Sequence, residues 1–183
     1  MRFRVSSFSR FFGFTLFSFL LLACGNSDPA DKQTHEKHTM ATHIEGTDEC
    51  HLCGMLIQQF PGPKGQLEEK HMGQIRKFCS TNDLFSYALQ PENQHNIKTI
   101  YVHDMSEAAW DSPQDENMIE AEKAWYVAGH DLQGAMGPTI ASFKTEVSAQ
   151  NFQKKQGGYL LTFADINVEL MSKLMQMPMY SHH

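Results

Sequence analysis

The chain has 183 residues, including four cysteines, ten histidines and eleven methionines, and its 21 acidic and 15 basic residues give a formal net charge of −6. An acidic body of this size is one domain or two small ones. The charge argues against nucleic acid as a partner and against electrostatic adhesion to anionic lipid.

Arg2, Arg4 and Arg10 form a positive leader to the apolar run Phe11 to Leu22. That run is shorter than the ~20 residues a permanent membrane helix needs, so it reads as an export signal. It ends in Leu21-Leu22-Ala23-Cys24, which is similar to the lipobox of bacterial lipoproteins. Residues 1–23 are therefore expected to be a cleaved signal peptide, with Cys24 lipidated. Removing them takes away three basic residues and no acid, leaving 12 basic and 21 acidic residues and a charge of −9. Acyl chains would do the anchoring, each buried methylene contributing ~0.8 kcal/mol. Gly25 in place of an aspartate points, by likeness to other lipoproteins, to the periplasmic face of the outer membrane. Only Cys50, Cys53 and Cys79 then remain as thiols, an odd number that suits neither a disulfide framework nor a four-cysteine zinc site.

Residues 24–46 read as a polar tether. It carries His35, His38, His43 and Met40, either as an ordinary spacer or as a loose metal collector. Glu49 to Met55 then packs two thiols, an imidazole and a thioether into Cys50-His51-Leu52-Cys53-Gly54-Met55. Soft sulfur donors favour Cu(I), although Cys-x-x-Cys also occurs in zinc knuckles, redox pairs and disulfides. Met55 to Phe60 has strand composition, Pro61-Gly62-Pro63-Lys64-Gly65 reads as a turn, and a second strand is expected to end at Gln74 to Cys79. Ser80 and Asp83 resemble a helix capping box ahead of an apolar stripe through Leu84, Phe85, Ala88 and Leu89. Pro91-Glu92-Asn93 should stop that helix, and Ile97 to Val102 is a β-branched strand.

The second half repeats this plan: a strand at Ala124 to Gly129, another at Thr139 to Phe143, a helix capped by Thr145 and stopped at Gly157-Gly158, and a closing strand at Tyr159 to Phe163. Phe78-Cys79-Ser80 and Phe143-Lys144-Thr145 take equivalent corners 65 residues apart, and Tyr87 and Phe152 keep that offset. The expected class is α+β, two homologous ββαβ units packed together because units of this size are marginal alone. The expected division is residues 47–105 for the first unit, 106–166 for the second and 167–183 for a C-terminal helix and Met/His tail. The tail, with Met171, Met175, Met177, Met179, His182 and His183, is either an amphipathic helix covering a sheet or an auxiliary copper collector. Met136, between Gly134 and Gly137, is a flexible apolar side chain in a loop, read as a metal ligand or as a plug between domains.

Taken in order and spacing, the lipobox, Cys-x-x-Cys-Gly-Met, the Phe-Cys-Ser corner, Trp125-Tyr126-Val127 and Met136-Gly137-Pro138 resemble the NosL family from about Gly46 to Glu169. The resemblance implies a periplasmic copper-chaperone lipoprotein holding one Cu(I) and delivering it for the copper-sulfide cluster of nitrous oxide reductase, beside an ABC transporter that supplies sulfur. Matched motif by motif, it implies Cys53, Met55 and Met136 as copper ligands, with Cys50 beside them, while Cys79 reads from its own place behind the strand-helix corner as buried and structural. A general copper-storage lipoprotein would share every ligand. A zinc knuckle completed by Cys79 and a histidine explains neither Met55 nor Met136. A thiol-disulfide oxidoreductase would place Cys-x-x-Cys at a helix start. No paired carboxylates, Ser-His-Asp grouping or phosphate loop stands out, so the chain reads as a binding protein and not an enzyme.

Overall fold

The first sheet has four strands. Strands β1 (Gly65–Glu69), β2 (Ile75–Phe78), β3 (Ile97–His103) and β4 (Met118–Glu120) pair antiparallel in the order β2-β1-β3-β4. These and the elements below come from a computed structural model that describes residues 41–176. One face of the sheet sends Leu67, Phe78, Ile100 and Val102 into the main core, as the period of two requires. The other face is polar yet buried: Gln66 and Glu68 are almost fully covered. Gln66 binds both the N–H and the carbonyl of Thr42, so the last tether residues lie over this face. His43 and the Ile44 N–H both reach Asp115 at 2.7 Å.

A second sheet follows from β5 (Trp125–Ala128), β8 (Ala141–Phe143) and β9 (Tyr159–Thr162), antiparallel in the order β8-β5-β9. In both sheets the first strand of the hairpin pairs on one side with its hairpin partner and on the other with the strand that follows the helix, so the two share one ββαβ plan. Between β5 and β8 lies a small hairpin, β6 (Gln133–Gly134) and β7 (Gly137–Pro138), with Ala135 and Met136 at its turn. Helix α1 (Thr81–Ala88) runs between the sheets: it packs on β1 and β2, and its Phe85 ring meets Tyr126 of β5 edge-on at 5.7 Å. Packing on β1 is so close that a Cβ at Gly65 would stand 2.4 Å from Leu84 Cδ2. Along β5, Tyr126 and Ala128 face the main core while Val127 joins Phe143 and Ala149 under helix α3 (Glu146–Gln156). Helix α4 (Val168–Met175) buries Leu170, Met171 and Leu174, and Asn167 caps it.

The expected α+β class with antiparallel sheets is what the chain forms. The caps at Ser80, Thr145 and Asn167 each accept the backbone N–H three residues on. Two expectations fail. Met55 to Phe60 is not a strand: Leu56 pairs only with Glu49, and Ile57–Gln59 is a 3-10 turn that buries Ile57. The first strand begins instead at Gly65, inside the expected turn. Its sequence, Gly-Gln-Leu-Glu-Glu, conceals a buried strand because Glu68 and Glu69 are neutralised across the sheet by Lys98 and Arg76. Second, Pro91 does not simply end α1. Leu89 caps it, and Pro91–Gln94 opens a short helical turn of its own, α2. Met171 is core, while the expectations on Cys24, His35, His38, Met40, Met177, Met179, His182 and His183 lie outside the described residues.

Candidate metal centre

The site starts from the knuckle. The Cys50 N–H donates to Met55 O and the Gly54 N–H to Cys50 O, both at 2.8 Å, closing a loop that turns at Gly54 with φ +74°. A positive φ of this kind is why glycine follows the second cysteine. The loop is docked on the first sheet by the His51 N–H, which donates to Lys77 O at 2.8 Å. The His51 ring lies edge-on to Tyr87 at 5.0 Å, so this imidazole is packed against aromatics.

The second part of the site is the corner from β2 into α1. Phe78 is buried beneath it, Cys79 follows, and Ser80 caps the helix. Asp83, in the first turn of α1, reaches back so that one carboxylate oxygen lies 3.2 Å from Cys79 Sγ and 3.3 Å from Cys50 Sγ. Cys53 Sγ stands 3.5 Å from Cys79 Sγ. The donor atoms of Cys50, Cys53, Cys79 and Asp83 all lie within 4.8 Å of one another. Two ligands each 2.3 Å from one ion stand at most about 4.6 Å apart. The four donor atoms are therefore close enough for side-chain adjustment to draw them onto one ion. Cys50 and Cys79 are buried and Cys53 is exposed, so the cluster opens outward at Cys53.

Of the three thiols, Cys50 is the one whose surroundings favour the thiolate. The polar groups of Cys79, helped by the backbone N–H groups of Cys79 and Cys53, favour a thiolate at Cys50 and bring it down to about 6 against the cost of burial. Burial pushes Cys53 up to about 11, although the Met55 N–H favours its thiolate. Cys79, donating to Cys50 and beside the Asp83 charge, is held far above the usual thiol range. Placement at a helix N-terminus favours one thiolate, but several cannot coexist so close without a cation among them.

Of the residues expected from sequence, Cys50 and Cys53 come together at once. Met55 is half-buried against the core beside them. Met136 sits on the turn of the β6–β7 hairpin with 57% of its surface exposed. That hairpin is tied to the start of α1: the Asn82 Nδ2 donates to Pro138 O, and the Thr81 hydroxyl donates to Ile140 O at 2.6 Å. Cys79 was expected to be buried behind its corner, and it is, but its sulfur belongs to the cluster. Asp83 was expected only as part of a cap. The odd thiol and the four-residue spacing of Cys79 and Asp83 across a helix start were the available signals.

A two-sheet α+β scaffold that gathers three thiols and a carboxylate at an outward-opening corner defines a small thiol-rich metal-binding protein. The chain matches the NosL family model over residues 41–171 and belongs to that family. It is 40% identical over 158 residues, 86% of this chain and 82% of the relative, to the copper-binding lipoprotein NosL of Stutzerimonas stutzeri. It is 39% identical over 119 residues to the copper-binding lipoprotein NosL of Achromobacter cycloclastes, covering 63% of this chain and 62% of that one. Its fold is similar to the crystal structure of the copper chaperone NosL from Shewanella denitrificans, with TM-score 0.70 and 48% identity over 71% of this chain and 97% of that one.

Proposed function

We propose that this chain is a periplasmic Cu(I) metallochaperone, anchored through lipidated Cys24 to the outer membrane. Its cargo is copper for the copper-sulfide cluster of nitrous oxide reductase, delivered beside the ABC transporter of that maturation system. The observation that carries the reading is the convergence of Cys50, Cys53 and Cys79, of which Cys50 and Cys79 are buried and Cys53 is the exposed residue. Thiolate and thioether donors select Cu(I) over hard cations. The two buried thiols retain the ion, while Cys53, with Met55 and Met136 as neutral and weaker donors, forms the side from which a recipient's ligands displace it. Cu(I) supplies the charge that lets further thiols ionise, so loading releases protons and weakens in acid. The names of the relatives, copper-binding lipoprotein and copper chaperone, point the same way.

Asp83 supports a second reading. A carboxylate is a poor Cu(I) ligand and a good Zn(II) ligand, and three cysteines with one aspartate can close a tetrahedral zinc site. Anaerobic titration with Cu(I) against a chromophoric chelator, alongside a Zn(II) titration, separates the two. The chaperone reading expects near one equivalent of Cu(I) and weaker binding in Cys53→Ser and Met136→Ala; unchanged affinity in both variants defeats it. Deleting the gene should impair nitrous oxide reduction under copper limitation, whereas a general copper store would leave it intact.

A further inference from the structure

We infer that Asn82 is a positioning residue for Met136, setting where the thioether of the second half can reach an ion held by the thiols of the first. The inference rests on the proposed function above. The first turn of α1 serves two parts of the molecule at once. Asp83 reaches Cys50 and Cys79, while its neighbours Thr81 and Asn82 grip the strand that leaves the Met136 turn.

Thr81 is fully buried. Its hydroxyl donates to Ile140 O, accepts the Ile140 N–H at 3.3 Å and lies 3.0 Å from Thr139 Oγ1. That contact welds β8 to the helix and is structural. Asn82 acts closer to the turn, at Pro138, two residues from Met136. The other arm is held from the opposite side: Trp110 Nε1 donates to Gln133 O at 2.8 Å, and the Trp110 carbonyl accepts the Gly62 N–H at 2.7 Å. A Cβ on Gly62 would meet the Trp110 ring at 3.3 Å and Gly134 Cα at 3.4 Å, so the arm, the indole and the Pro-Gly-Pro turn are in close contact. Both arms are thus clamped while Met136 itself stays exposed.

Each end of the hairpin base also carries a buried acceptor that its clamp does not use. Asn82 Oδ1 and Gln133 Oε1, on opposite sides of the hairpin base, are buried without a protein partner among the described residues. Buried polar atoms normally have partners. These two acceptors are available to a shifted turn when the thioether moves onto the ion.

A double-mutant cycle in Cu(I) affinity tests this. The full chain, with Asn82→Ala, Met136→Ala and the double variant, is titrated anaerobically against a chromophoric chelator, and X-ray absorption counts the sulfur neighbours. Asn82→Ala is expected to weaken Cu(I) by about 10-fold and to remove one sulfur neighbour, and to add nothing in the Met136→Ala background. Additive losses in the double variant, or wild-type affinity in Asn82→Ala beside a weakened Met136→Ala, overturn the inference and leave the Met136 ligand standing. Wild-type affinity in Met136→Ala removes that ligand and the inference with it. Asn82→Leu, nearly isosteric and unable to hydrogen-bond, repeats the cycle if the alanine variant folds poorly, and Thr81→Val is expected to lower stability in both backgrounds alike.

Discussion

At the β2–α1 corner the Phe78 ring lies 5.4 Å from Tyr87, and at the β8–α3 corner the Phe143 ring lies 5.0 Å from Phe152, tilted by nearly the same angle. Both corners are capped by a hydroxyl that accepts the N–H three residues on, Ser80 from Asp83 and Thr145 from Ser148. The chain leading into each unit also docks alike: the His51 N–H donates to Lys77 O and the Met105 N–H to Ser142 O, each at 2.8 Å. Chemistry separates them. The first corner has Cys79, Asp83 and the knuckle, where the second has Lys144, Ser148 and the buried apolar Met105. The second unit contributes something else, the inserted hairpin that carries Met136. One scaffold, used twice, serves once as a ligand cradle and once as a mount for a single exposed thioether.

The largest effect expected is on the shared scaffold. Phe78→Ala and Phe143→Ala each remove a fully buried ring, and each should cost about 3–5 kcal/mol in urea unfolding. Only Phe78→Ala should also disturb metal binding. Equal disturbance by both would mean that the two corners are not separable in this way.

A pH effect of similar size is centred on a histidine of the second unit. His130 is buried edge-on to Phe152 and Trp110, and burial lowers its pKa to about 4. The unfolded chain binds that proton near 6.5, so the folded state is favoured in full above pH 6.5 and loses ground as pH falls towards 4. A gap of that size corresponds to about 3 kcal/mol. His103, also lowered by burial, acts in the same direction despite its contact with Asp115. His130→Gln should flatten most of the stability slope between pH 6.5 and 4; an unchanged slope would place the titration elsewhere.

Replacing the chemistry while keeping the scaffold is the sharper comparison. Cys79→Ser should lower metal affinity by more than about 100-fold, beyond what losing an outer partner of a ligand costs. Lys144→Ala, at the equivalent place, should leave it unchanged. If Cys79→Ser binds as the parent does, the buried thiol is structural, as its sequence context alone suggested.

Much of this plan is legible in the chain because the caps and the β-branched runs act locally. Ser80, Thr145, Asn167 and Ile97 to Val102 require nothing distant to take their conformations. The failures have a common cause in long-range compensation. Gly65 to Glu69 does not announce itself as a strand because its two acids are made tolerable only by Lys98 and Arg76, 30 residues on and 7 residues on. The metal corner was half visible for the same reason. Cys50 and Cys53 announce themselves by spacing, whereas Cys79 and Asp83 join them only once β2 is paired and α1 has been capped.

The smallest effect isolates that last step. Ser80→Ala and Thr145→Ala remove matching caps, and each should cost about 1 kcal/mol of stability, within the usual range for an N-cap. Their consequences for metal should differ. Without its cap the first turn of α1 frays, and that turn carries Asp83 to Cys50 and Cys79 and holds the hairpin through Thr81 and Asn82. The first turn of α3 carries no ligand. Ser80→Ala should therefore weaken metal binding while Thr145→Ala leaves it intact, at matched losses of stability measured by the same unfolding curves. If metal affinity simply followed stability in both, the cap would be doing no more for the site than for the fold, and the first turn of α1 would lose its place as the link between the two halves.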